Sequence, residues 1–236
     1  MDALHGFWGQ GDAVIRGVSL LLLAMSIAVW VLIFWKSWLL HRARRDIASA
    51  LAAFWSAPTL AAGREQLSIF DRSGVVSPLL AAALARPAGD TLEARGERAS
   101  QLTRRLRDAL HAVLSDLQSG QVLLASVGST APFIGLFGTV WGIYHALLSM
   151  TTAGRMTIDR VASPVGEALV MTAAGLAVAI PAVLAFNAFG KRVATCEAEL
   201  EGFAHDLREL QLDAPDAMPP APAGAADPRQ ADAPQP

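Results

Sequence analysis

The sequence predicts an all-α membrane protein: three transmembrane helices with long cytoplasmic helical extensions. Three observations carry this. The 236 residues are 53% hydrophobic and only 17% charged, whereas an average soluble domain carries about 25% charge. The apolar residues gather in three long stretches. Flanking two of them, apolar residues recur at three- and four-residue spacing, the pattern of a helix with one buried face.

The first element is the charge-free run 17–35. At about 1.5 Å per residue it reaches roughly 28 Å, close to a bilayer core of about 30 Å. A signal peptide is the poorer reading, because no basic region precedes the run and the basic cluster follows it: Lys36, Arg42, Arg44 and Arg45. Residues 1–16 then form a periplasmic N-terminal tail.

Segment 36–120 reads as a cytoplasmic helical loop, punctuated by Pro58, Gly63, Pro78 and the stretch 86–89. Within it Leu102, Leu106, Leu110, Val113 and Leu117 form one apolar stripe, with Arg104, Arg105, Arg107 and Asp108 off the stripe. No polar turn divides this helix from the next apolar stretch, so the two are expected to run on without a break.

That stretch, 117–154, has no charged residue. Its length favours one span, 121–150, extended into water over two separate spans. A periplasmic loop, 151–163, follows. The third span, 164–190, holds a single charge, Glu167. A cytoplasmic helix, 191–212, continues it, with Val193, Cys196, Leu200, Phe203, Leu207 and Leu210 as a second stripe. The two stripes pack against each other within one chain or between subunits. The tail 213–236 contains seven of the thirteen prolines and no aromatic residue, so it is expected to be disordered.

Arginine and lysine placement sets the orientation. Twelve lie in 36–120, four after Gly190, and three in the N-terminal tail and the short loop: Arg16, Arg155 and Arg160. Positive residues stay in the cytoplasm, which places the N-terminus and the short loop outside and the large loop and C-terminus inside.

Function classes narrow quickly. A single cysteine, Cys196, excludes an intrachain disulfide or a cysteine metal cluster, and the five histidines show no ligand spacing. No cofactor or metal is expected. A hydrolase dyad of Ser129 and His145 fails on one continuous helix, where sixteen residues span about 24 Å and a nucleophile and base need about 3 Å. No phosphate loop or dinucleotide fingerprint occurs. Nor do the three spans show the inverted repeat of a solute permease.

Glu167 is the main candidate for chemistry, because a charge at membrane depth is costly and usually faces a bundle interior or water. A second reading stays open. Ser163 and Pro164 look like an N-cap and first helical residue, which would put Glu167 in the first turn as a partner of the helix dipole. Thr139 and Thr172 are further polar groups in the spans; a buried hydroxyl there ordinarily bonds its own backbone. Glu167 and Thr172 lie about 140° apart around one helix, so they cannot both centre on one narrow face. Gly138 and Gly142 have the close-approach spacing of membrane helices, expected to pack subunits together. Pro132 and Pro181 each free a carbonyl one turn earlier and are expected to kink their helices.

The stretch 125–144, ASVGSTAPFIGLFGTVWGIY, and the stretch 166–183, GEALVMTAAGLAVAIPAV, resemble the MotA/TolQ/ExbB proton channel family. The likeness covers roughly residues 10 to 210. It implies a homopentamer around ExbD-type single-span proteins, which uses proton flow to drive a TonB-type energy transducer. It also implies that Thr139, Glu167 and Thr172 line the proton pathway, while the proton-carrying aspartate belongs to the partner. Ser163-Pro164-Val165 and Val170-Met171 depart from the family's usual residues and leave local packing open. The segments 11–14 and 33–37 favour the ExbB branch. The TolQ branch of the Tol-Pal system, or a non-conducting scaffold, is the alternative.

Overall fold

The computed structural model describes residues 13–85, 97–153 and 158–213, and of residues 149–153 and 158–164 only the backbone. Every regular element among them is a helix. In order these are α1 (Ala13–Ser56), α2 (Leu60–Phe70), α3 (Ser77–Leu84), α4 (Arg98–Gln118), α5 (Gln121–Ala153) and α6 (Ile158–Asp213). Three of them, α1, α5 and α6, are long and apolar enough to cross a membrane. The expectations for residues 1–12, for 86–96 and for the tail after Asp213 lie outside the described residues.

Helix α1 continues twenty residues beyond Lys36, the first charge after its apolar run, in one unbroken helix of 44. Its buried residues explain why. Lys36, Leu40, Ala43, Ile47, Ala50 and Phe54 recur at four- and three-residue steps, a seam that keeps one face turned to a partner helix. The partner is the lower half of α6, where Phe189, Val193, Cys196, Leu200, Phe203 and Leu207 are buried with the same steps. The Phe54 and Phe203 rings meet edge to face at 5.3 Å between centroids. Cys196 is fully enclosed, and burial pushes its thiol above the ordinary value.

Pro58 ends α1, since a residue before proline avoids helical backbone. Gly63, expected to punctuate the chain, instead sits inside α2, where a Cβ would meet the Phe54 ring at 3.0 Å. The turn between α2 and α3 is built on Asp71. Its carboxylate accepts from the backbone N–H groups of Val75, Val76 and Ser77 and from the Ser77 hydroxyl, at 2.6 to 3.0 Å. These are donors that α3 cannot satisfy internally.

The expected continuous helix through residue 117 is corrected. α4 stops at Gln118 and α5 starts at Gln121. Gly120 adopts φ +78°, a left-handed conformation that only glycine enters freely. The Lys36 ammonium, buried within the chain at 2% exposure, donates to the Ser119 carbonyl at 2.6 Å. That carbonyl belongs to the cap of α4, and a lysine at a helix C-terminus satisfies it. The two stripes pack within the chain. Leu102, Leu106, Leu110, Val113 and Leu117 of α4 share a core with the α6 stripe. Leu210, at 41% exposure, falls outside it.

Candidate functional site

Helices α5 and α6 form the central pair. Gly128 faces Val183, Gly135 faces Gly175, Thr139 faces Thr172 and Gly142 faces Ala168, so the two helices are antiparallel. The close approach is made possible by glycine. A Cβ on Gly135 would meet the Met171 carbonyl oxygen at 2.6 Å, and one on Gly175 would meet that of Ala131 at 2.6 Å. A Cβ on Gly138 would touch Met171 and Val18, and one on Gly142 would touch Ala168 at 3.0 Å. The Gly138–Gly142 spacing therefore packs helices within the chain. Helix α5 runs through Pro132, and α6 through Pro181, without a break.

On this seam the two threonines meet. The Thr139 hydroxyl, 5% exposed, lies 2.6 Å from the Leu136 carbonyl, to which it donates, and 3.4 Å from the Thr172 hydroxyl. The backbone bond is the ordinary behaviour of a hydroxyl in a span. The contact between the two side chains was not readable from spacing. Ser19 of α1 closes the neighbouring layer, donating to the Ile15 carbonyl at 2.8 Å, with the Met171 sulfur at 3.5 Å.

Glu167 stands apart from that pair. Ala168, Met171, Gly175, Val178 and Ala182 face into the chain, while Glu167 is exposed on its surface. At 100° per residue, Glu167 and Thr172 flank the buried face of α6 on opposite sides. The expected helix start at Ser163 is corrected. α6 begins at Ile158 and runs through Pro164, although a proline inside a helix forfeits one backbone hydrogen bond. Glu167 thus lies beyond the first two turns, where the dipole's effect has faded. The dipole reading loses its geometric basis.

Ser129 donates to the Ser126 carbonyl at 3.0 Å, and α5 carries Ser129 and His145 on one unbroken helix. The dyad therefore fails on distance. A residue that spacing arguments passed over is Lys36, counted only as part of a basic cluster. Its position in the seam with Val29, Leu40 and Ala43 was the available signal.

The profile of the MotA/TolQ/ExbB proton channel family matches residues 64–202. The chain is 39% identical over 221 residues to the biopolymer transport protein ExbB of Neisseria meningitidis, covering 88% of this chain and 96% of that one. It is 44% identical over 213 residues to the ExbB of Xanthomonas campestris, covering 85% and 83%. With the Tol-Pal system protein TolQ of Haemophilus influenzae the identity is 32% over 219 residues, covering 85% and 90%.

Proposed function

The chain belongs to the MotA/TolQ/ExbB proton channel family, and from that premise we propose that it is the ExbB-like subunit of an inner-membrane motor complex. In this reading the complex harnesses the proton-motive force and, with an ExbD-type partner, energises TonB-dependent transport across the outer membrane. The observation that carries it is the 39–44% identity over most of the chain to the Neisseria and Xanthomonas ExbB proteins, against 32–34% for TolQ proteins. The TolQ-type role is not favoured.

The assembly we propose is a homopentamer around ExbD-type single-span proteins, acting on a TonB-type transducer. Thr139 and Thr172, in contact across the α5–α6 seam, and Glu167, on the surface of α6, are the proposed proton-pathway residues. They serve as polar groups around a proton carried by the partner. Expression in a bacterium lacking its own ExbB tests the role. Restored TonB-dependent uptake is the expected result. Restored Tol-Pal integrity in a TolQ-deficient strain, without restored uptake, overturns it.

The proposed topology has the N-terminus periplasmic and the C-terminus cytoplasmic. Cysteines introduced at Ser56 and Thr152 report it, because the native Cys196 is buried and reacts slowly. An impermeant maleimide on whole cells is expected to label position 152 and spare position 56. The opposite pattern reverses the orientation.

A further inference from the structure

Helix α1 has one buried face and one exposed face along its whole length. On the exposed side Leu20, Leu23, Ile27, Val31, Phe34 and Trp38 are each between 48% and 68% accessible. They follow the helical repeat and form a continuous apolar stripe. Measured at 100° per residue from Trp38, the buried residues Val29, Lys36, Leu40 and Ile47 lie about 160–180° away. The stripe is thus turned directly away from the rest of the chain.

The same stripe does not end at the last apolar residue. His41, Arg42 and Arg45 fall within about 60° of Trp38 on the helical wheel, so the apolar line passes straight into three basic side chains. Arg45 and His41 are exposed, and no described residue gives either side chain a hydrogen bond or ion pair. Arg42 rests its guanidinium on the Trp38 ring, with Cζ at 5.6 Å from the centroid. Its other contacts are weak: the Arg72 carbonyl at 3.5 Å and the Asp46 carboxylate at 3.8 Å, with the side chain 42% exposed.

Geometry aims these groups at the bilayer. Side chains on a helix tilt towards its N-terminus, which for α1 is the membrane side. Arg42 does reach back one turn to Trp38. Tryptophan settles at the headgroup level of a membrane. Arginine reaching into that layer from the aqueous side meets phosphate, which it binds with several donors at once.

We infer that Trp38, His41, Arg42 and Arg45 form a binding site for the phosphate headgroup of an anionic phospholipid, continuous with the acyl-chain stripe above it. The ligand is the lipid, and not free phosphate, because the apolar stripe supplies the contact for its acyl chains. Such a site anchors α1 at a fixed depth.

The test is native mass spectrometry of the purified full chain in detergent. The probes are phosphatidylglycerol and phosphatidylcholine of identical acyl chains. The wild type is expected to retain phosphatidylglycerol preferentially. An Arg42→Gln/Arg45→Gln variant is expected to lose about thirty-fold of that preference, or about fivefold for each guanidinium near a charged membrane surface. Arg44→Gln, whose position is about 120° round the helix, is expected to keep it. Equal retention of the two lipids by the wild type overturns the proposal. So does an unchanged preference in the double variant, or an equal loss in Arg44→Gln. Displacement of the lipid by inorganic phosphate at millimolar concentration overturns the lipid assignment.

Discussion

Leucine in place of Gly135 is expected to prevent the three long helices from packing, with loss of the folded subunit from the membrane. The reason is what a side chain would strike. At Gly135 a Cβ lands 2.6 Å from the Met171 carbonyl oxygen and 3.1 Å from the Gly175 Cα. Both are backbone atoms, so no rotamer change relieves the clash and the helices must move apart. Overpacking a tight core costs about 1–3 kcal/mol where side chains can adjust. Here they cannot, and the cost is expected at or above that upper end. Separation would also break the Thr139–Thr172 contact. Gly138 offers a graded comparison. Its nearest neighbours are the Met171 Cβ and Cε and a Val18 methyl at 3.2–3.3 Å, contacts that a shift of a few tenths of an ångström relieves. Gly138→Ala is therefore expected to be milder than Gly135→Ala. Gly190, with nothing within 4 Å, serves as the control. Thermal unfolding of the detergent-solubilised protein ranks the three alanine variants. An equal melting temperature for Gly135→Ala and Gly190→Ala would show that the helices do not meet this closely.

Glu167→Gln is expected to leave folding and assembly intact and to abolish energised transport. Glutamine keeps the size and hydrogen-bonding capacity of the side chain and removes its titration. Stability should change little, because Glu167 is exposed on α6 and the helix starts at Ile158. A dipole partner would contribute about 0.3–1 kcal/mol, and only within the first turn. The effect on function is expected to be large because the driving force is small. A membrane potential of 100 mV supplies about 2.3 kcal/mol per charge, so a motor needs its polar groups placed closely around the path. The readout is uptake by TonB-dependent transport, beside subunit counting of the purified complex. Wild-type uptake by the glutamine variant would remove Glu167 from the proton pathway. Loss of assembly together with uptake would assign it a structural role instead.

The legible part of the site was its residue types and their order. A lone acid in an apolar stretch, two span threonines and a high density of small residues are properties of the chain itself. Their mutual placement was not legible. Spacing placed Glu167 and Thr172 about 140° apart, but it could not say that α5 brings Thr139 to within 3.4 Å of Thr172. Ser163-Pro164 read as a helix start by local preference. Proline is tolerated best in the first turn and forfeits a backbone hydrogen bond further in, yet α6 begins at Ile158 and carries Pro164 in its interior, against that local preference. Gly120 shows the reverse. It stands just past the α4 stripe, where glycine commonly ends a helix, but the charge-free run around it masked that signal. The Lys36 ammonium that caps the break from α1 was not legible at all.

What the sequence by itself determined is what the membrane dictates. Three stretches of apolar residues must be helices, because a backbone in lipid has only its own hydrogen bonds. The stripes on α4 and α6 likewise follow from helical periodicity alone. Which surfaces meet was decided by the tertiary structure. Between membrane helices there is little hydrophobic driving force, and association depends on van der Waals fit and close approach. Fit is a relation between two surfaces, so Gly135 acquires its meaning only opposite Gly175. The same holds for Lys36, whose burial is tolerable only where the Ser119 carbonyl receives its ammonium.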